Sequence, residues 1–188
     1  MVGGALYMVI YPAFYTWHKE AINTKSGLIF APEDFYIVKR REHLLTDDGC
    51  AGSETHRKTF FTGDEALELE KKVLMPNGWR LPTKDDWQAV CDEFRTPGRL
   101  KRKLKLTLNG YIDYDEMGEY NQKLEANNIL GLGPFGYFWS STEFDKASMY
   151  CMGIGNSLIG RFLGPTVAVD RRDYGYSIRC VAREYWPF

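Results

Sequence analysis

The sequence has little of what metal, redox and membrane chemistry require. Cysteine occurs four times in 188 residues, at positions 50, 91, 151 and 180. No two are close enough for a C-x-x-C metal knuckle or redox motif. The three histidines, His18, His43 and His56, lie in unrelated segments, and none is paired in sequence with a nucleophile. No run of 18 apolar residues occurs, so no transmembrane helix is expected. Neither charge dominates: 24 Lys and Arg against 25 Asp and Glu give a net charge of −1, which argues against a protein whose main business is gripping a phosphate backbone. Internal repeats and low-complexity tracts are absent.

What is present is apolar and aromatic. A hydrophobic content of 44% and an aromatic content of 15% suffice for a sizeable core, so one domain, or one domain with an elaborated N-terminal arm, is expected. Residues 3–15 are apolar but lack a basic n-region and contain Pro12, Tyr7, Tyr11, Phe14 and Tyr15. An aromatic strand packed on the core is favoured there over a signal peptide.

Along the chain, residues 5–17 and 28–39 read as strands: Ala5 to Tyr11, then Leu28-Ile29-Phe30 and Phe35-Tyr36-Ile37-Val38. The charged stretch from Lys39 to Lys58, with Asp47-Asp48-Gly49 and Gly52-Ser53 as turn signals, reads as an exposed loop. Its Asp47, Asp48 and Glu54 lack the spacing of a 12-residue calcium loop. Thr62-Gly63-Asp64-Glu65 is a capping box opening a first helix, and Met75-Pro76-Asn77-Gly78 stops it. Thr83, with Asp86 three residues on, caps a second helix. Its Trp87, Val90, Cys91 and Phe94 share one face. Residues 99–108 read as a strand, with Leu100, Leu104, Leu106 and Leu108 on one face and Lys101, Lys103 and Lys105 on a solvated one. Asn109-Gly110 turns the chain into Tyr111-Ile112-Asp113-Tyr114. A polar loop over 115–135 follows, with a short helix near Asn121–Asn128.

Residues 136–181 organise the rest. Gly136 to Glu143 and Tyr174 to Val181 alternate aromatic or β-branched residues with small or polar ones, as strands with one buried face do. Between them, residues 151–173 are broken by Gly153, Gly155, Gly160, Gly164 and Pro165. Leu158, Ile159, Phe162 and Leu163 there have no clear period. Firm strands holding a chemically mixed segment are how a scaffold presents a binding surface. The Tyr111, Asp113, Tyr114, Asp115 and Glu116 cluster reads better as a solvated turn than as an acid–base pair. Gly131-Leu132-Gly133-Pro134-Phe135-Gly136 lacks the Lys-Ser/Thr and following helix of a phosphate loop.

Four motifs carry a family resemblance: Gly78-Trp79-Arg80-Leu81-Pro82-Thr83 followed by Trp87; Leu108-Asn109-Gly110-Tyr111; Tyr137-Phe138-Trp139-Ser140-Ser141-Thr142-Glu143; and Tyr174-Gly175-Tyr176-Ser177-Ile178-Arg179-Cys180-Val181. In this order, over roughly residues 60–182, they resemble the Fibrobacter succinogenes major paralogous domain. That family is similar to the formylglycine-generating-enzyme group, a variant of the C-type lectin fold. The resemblance implies an α+β domain at 60–188: two helices against short, twisted, mainly antiparallel strands with much loop. Residues 1–59 would pack on it as strands and loop. Trp79, Trp87 and Trp139 would fill the core, and Arg80 and Arg179 would make internal hydrogen bonds or ion pairs.

The same fold serves the variable proteins of diversity-generating retroelements, ligand binders of phage tails and bacterial surfaces. The resemblance places their variable segment at residues 149–173. Tyr150, Met152 and Ile154 would face the core, and Cys151, Gly153 and Gly155 would face outward. Ser157, Leu158, Gly160, Arg161, Phe162, Arg171 and Asp173 would join them as ligand contacts; otherwise Leu158–Leu163 packs down as ordinary loop core. Exposed Leu158 and Phe162 beside Arg161 would suit a protein-binding patch.

The expected activity is therefore non-enzymatic binding of a protein or glycan on a target surface, from a phage virion or bacterial cell surface. No cofactor, metal, nucleic acid or membrane insertion is expected. The alternative is a calcium-independent carbohydrate- or cell-envelope-binding domain, since the Glu-Pro-Asn, Gln-Pro-Asp and Trp-Asn-Asp ligand sets of calcium-dependent lectins are missing. A cysteine-dependent oxidase would need two nearby reactive thiols, for which only Cys151 and Cys180 are candidates. If their strands are neighbours, a disulfide between them is possible instead.

Overall fold

The computed structural model describes residues 6–9, 14–43, 52–113, 129–130, 135–155 and 164–182. They form an α+β domain with a few short helices and several small antiparallel sheets. The central sheet is β9 (Phe135–Glu143), β10 (Ser148–Gly155) and β11 (Thr166–Arg171), with β10 in the middle. Cys151 lies opposite Trp139 on one side and Ala168 on the other; Met152 lies opposite Phe138 and Val167. The expected irregular segment 151–173 therefore includes two regular strands. Its valines and threonine suit a pleated surface, and the pairing of β10 with β9 and β11 overrides the glycines at 153 and 155.

The N-terminal region corrects two sequence expectations. Residues 5–17 are not one strand: β1 (Leu6–Val9) is followed by α1 (Phe14–Glu20). The 28–39 stretch forms two pieces, as read: β3 (Ile29–Phe30), paired with β2 (Ile22–Asn23), and β4 (Ile37–His43), which runs on past Val38. The charged stretch expected as a loop forms most of an antiparallel pair between β4 and β5 (Gly52–Lys58), with β1 along the other edge of β4. Backbone pairing there outweighs a composition poor in apolar residues.

Both capping boxes form. Thr62 accepts from the Glu65 amide at the start of α2 (Gly63–Leu69), and Thr83 does the same for Asp86 at α3 (Lys84–Glu93); each acid reaches back to its cap amide. After α2 the chain continues in a π-type turn, Glu70–Leu74, and a short 3-10 turn, Met75–Asn77. Gly78 ends it at φ 77°, donating to the Met75 carbonyl, a conformation that glycine adopts without a Cβ penalty. β6 (Trp79–Arg80) then pairs with β13 (Val181–Ala182), which also pairs with β3.

The stretch read as a strand from 99 to 108 is a helix, α4 (Pro97–Leu104). Pro97 occupies the first turn, where its missing N–H costs nothing. Leu100 and Leu104, four apart, are buried on one face. Leucines at the even positions 100, 104, 106 and 108 satisfy a strand period as well, so alternation alone misled. β7 (Tyr111–Asp113) pairs with β8 (Ile129–Leu130) and β12 (Tyr174–Gly175). The helix expected near 121–128 lies outside the described residues.

The central sheet divides the core. On one side Trp139, Met149, Cys151 and Tyr176 pack with Trp17, Phe35, Phe61, Trp79 and Leu81. On the other, Phe138, Met152 and Ile154 pack with Phe30, Trp87, Val90, Leu100 and Leu104. Trp79, Trp87 and Trp139 are fully buried, as the motifs imply. Trp139 Nε1 donates to the Phe61 carbonyl at 2.7 Å, and Trp87 Nε1 to the Trp139 carbonyl at 3.2 Å. Arg80 bonds Asp86 at 2.6 Å and the Leu81 carbonyl at 2.9 Å.

Arg179 is fully buried and ties three segments together. Its Nε lies 2.8 Å from Asp34 Oδ1, an ion pair not aligned as a hydrogen bond. Its Nη1 donates to the Ala31 carbonyl at 2.8 Å, and its Nη2 to the Lys105 carbonyl at 3.2 Å. Lys105 caps α4 in the left-handed region, at φ 52°.

Candidate functional site

The outward-facing set on β10 does not form. Cys151, Gly153 and Gly155 are buried, because β10 has a strand on each edge and a packed core on each face. The assumption of one solvated face fails for a central strand covered on both faces. Met152 and Ile154 do face a core. Tyr150 is only half-buried, with Phe144 edge-on at 5.7 Å and Lys84 Nζ 5.2 Å from its ring centre.

The described cysteines, Cys91, Cys151 and Cys180, are free and buried, so Cys151 and Cys180 are not joined. Burial raises all three thiols, with Cys91 pushed up to about 12. Such sulfurs stay protonated and unreactive. Among the described residues, no group of three or more His, Cys, Asp or Glu could hold a metal ion.

Ser157, Leu158, Gly160, Arg161 and Phe162 lie outside the described residues. Arg171 and Asp173 lie on the tight turn between β11 and β12 and are joined by an ion pair. Arg171 Nε donates to Asp173 Oδ1 at 3.0 Å, which raises the guanidinium pKa further. The same guanidinium lies 5.4 Å from the Tyr174 ring centre, within cation–π range.

Beyond Arg171 the structure gathers tyrosines that the sequence reading left dispersed. Tyr176 is buried at their centre, stacked on Tyr137 at 4.9 Å and close to Trp139 at 4.5 Å. Tyr111 meets Tyr137 edge-on at 5.4 Å and Tyr174 at 5.7 Å. Tyr111, Tyr137 and Tyr174 are each half-exposed. The Tyr176 hydroxyl donates to Asp170 Oδ2 at 2.6 Å. Asp113 pairs across the ladder with Tyr174.

Three separate segments supply these rings, and short pairings hold them in register: Tyr174 with Asp113, Tyr111 with Leu130, Tyr176 with Phe61. Burial, and then the neighbouring acids and phenols, raise Tyr137 and Tyr174 above the ordinary phenol value. Burial first, then Cys151 and the bond to Asp170, raise Tyr176 much further. The hydroxyls therefore stay protonated at neutral pH, able both to donate and to accept. The arrangement offers ring faces and edges, hydroxyls, carboxylates and one guanidinium on a rigid base, which is the chemistry of recognition. The available signal was the tyrosines of the motifs at 111, 137, 174 and 176, which have no partner until the strands are placed.

The chain matches no protein-family model, no curated protein sequence and no solved structure.

Proposed function

We propose that this is a non-enzymatic ligand-binding protein on a C-type lectin-like, formylglycine-generating-enzyme-like scaffold, of the kind used by diversity-generating retroelement variable proteins. The ligand is a protein or glycan on a target surface, met from a phage virion or a bacterial cell surface. One observation carries this reading: the half-exposed tyrosine face of Tyr111, Tyr137 and Tyr174, with Arg171 and Asp173 at its rim, set directly on a fully packed core. The motif residues Trp79, Trp87, Trp139, Arg80 and Arg179 support it by packing and bonding internally, as scaffold.

Ser157, Leu158, Gly160, Arg161 and Phe162, in the sequence between β10 and β11, are proposed as further ligand contacts. Tyrosine and arginine contribute large contact areas at low conformational cost and dominate many binding surfaces. The protonated, buried thiols weigh against cysteine-dependent oxidation.

A calcium-independent glycan site is the second reading, favoured by half-exposed phenol rings beside Asp170 and Asp113. Pyranose C–H faces stack on such rings while carboxylates accept from sugar hydroxyls.

Glycan arrays and surface-protein screens, with and without chelator, identify the ligand. The Arg171→Ala/Tyr174→Ala variant then loses binding at least about 30-fold, from two contacts of about 1 kcal/mol or more each, while its thermal transition moves little. Unchanged affinity would remove this face from the site. At the gene level, a nearby near-copy of the 149–173 coding region differing only at adenines, beside a reverse transcriptase, is the expected mark of diversification. Without such a copy, the surface-domain reading replaces it.

A further inference from the structure

Six of the chain's 24 Lys and Arg residues fall between positions 95 and 105, where none of its 25 Asp and Glu residues does. As a strand, this stretch would divide its charges onto one solvated face. As the helix α4 it does something different. Leu100 and Leu104 are buried in the core together with Leu106, and Arg95, Arg99, Lys101, Arg102, Lys103 and Lys105 are all exposed around the outside. None of the six forms an ion pair with a described residue.

Fold stability does not account for this clustering. Cations in the last turn, here Lys101, Arg102 and Lys103, complement the negative carbonyl end of a helix. Arg99 sits in the first turn and Arg95 just before it, at the positive end, where a cation is unfavourable. Arg99 also faces Arg102 and Lys103, three and four residues on, and Lys101 faces Lys105, so like charges repel along the outer surface. A helix that is merely solvated usually intersperses acids at these spacings.

The position matters as well. Leu100 and Leu104 pack on the side of the central sheet with Phe138, Met152 and Ile154, whereas the tyrosines belong to the Trp139 and Cys151 side. The basic helix and the tyrosine face therefore lie on opposite sides of β9–β10–β11. A partner held on α4 leaves the tyrosine face open.

We infer that the outer face of α4 is a peripheral docking surface for an anionic lipid bilayer. A duplex nucleic acid fits less well. In a chain of net charge −1, the densest acid-free run of cations lies on and beside one short helix, whereas a duplex binder carries a long basic stripe. From 95 to 105 no aromatic side chain is available to stack on bases, and no Asn or Gln to read their edges. Among the described residues, the exposed large apolar side chains, Phe144 and Val169, are not on this helix. The contact is thus with headgroups, without insertion, in the manner of polybasic clusters at anionic membrane surfaces.

The test is co-sedimentation of the purified chain with phosphatidylcholine vesicles, with and without phosphatidylglycerol as about a third of the lipid, a proportion that gives a surface potential of the kind polybasic segments sense. The chain is expected on the anionic vesicles only, and released as salt shortens the screening length. Each cation near such a surface is worth roughly fivefold in partitioning, so Arg99→Gln/Arg102→Gln/Lys103→Gln lowers it by about 100-fold. The pair Arg95→Gln/Lys101→Gln provides an independent variant, and lowers it by about 25-fold on the same basis. The thermal transition of each variant reports folding. Equal sedimentation with neutral vesicles, no sedimentation with anionic ones, undiminished binding by folded variants, or tighter binding to a DNA duplex at the same salt would each overturn the proposal.

Discussion

The two sides of the central sheet use different physics to hold the same strands. On the Trp139 side, the packing is aromatic and tied by directed bonds: Trp139 Nε1 to Phe61, and the Tyr176 hydroxyl to Asp170. On the Met152 side, Phe138, Met152 and Ile154 pack with Phe30, Trp87 and the α4 leucines, and a directed bond, Trp87 Nε1 to the Trp139 carbonyl, reaches the sheet. Directed bonds fix orientation, whereas aliphatic contacts tolerate exchange if volume is kept. A binding face needs fixed orientation. The half-exposed tyrosines emerge beside the bonds of Trp139 and Tyr176, whereas the basic helix is seated by two leucines.

The largest expected effect tests this difference directly. Trp139→Ala should cost about 3–5 kcal/mol, as truncation of a large buried aromatic does, and should disorder the tyrosine face with it. Met152→Leu, an exchange of similar volume across the sheet, should cost less than about 1.5 kcal/mol. Chemical denaturation of both variants measures the pair. Similar losses would mean that the two sides are packed alike and that the directed bonds add nothing.

The sequence showed one side of this comparison better than the other. Thr62 with Glu65, and Thr83 with Asp86, announce their helices because a cap is a local bond between residues three apart. The tryptophans and Arg179 were readable as interior because their motifs placed them there. The exposure of β10 was not readable. Alternation at Tyr150–Ile154 fits a half-solvated strand until β9 and β11 cover both edges and both faces fill. Nor was α4, since leucines at 100, 104, 106 and 108 fit period 2 and Leu100 and Leu104 fit i, i+4 equally. The tyrosine face is assembled from residues 111, 137, 174 and 176, and only long-range pairing brings these together.

Arg179 joins the two sides, and removing it should have the next largest effect. Arg179→Ala leaves the Ala31 and Lys105 carbonyls without their donor and Asp34 buried without its cation. Stranding one partner of a buried pair costs about 3–5 kcal/mol. The deficit should depend on pH. Burial already raises the Asp34 carboxyl above its ordinary value, against the opposing pull of Arg179. Without Arg179 it rises further, and a raised carboxyl favours the fold only while it is protonated. The deficit of the variant should therefore be greatest at neutral pH and shrink on acidification. A deficit independent of pH would show that lost packing, not the stranded charge, is responsible.

The smallest effect concerns the cap that seats Trp87. Desolvation pushes the Asp86 carboxyl up, but the hydrogen bond from Arg80, the Thr83 contacts and the Arg80 charge outweigh it, so its pKa lies below the ordinary carboxylate value. A lowered folded pKa means stability that is present above the unfolded value and lost as pH falls through the folded one. Asp86→Asn retains an oxygen for the Thr83 amide but gives up the charge. Because the pair is partly solvated and screened, the cost at neutral pH should be about 1 kcal/mol. Wild type and variant should converge as the pH drops below the ordinary Asp range. Thermal unfolding across that interval decides it: parallel curves would mean that the neutral hydrogen bonds alone hold the cap, and that electrostatics contributes nothing to placing Trp87 beneath the sheet.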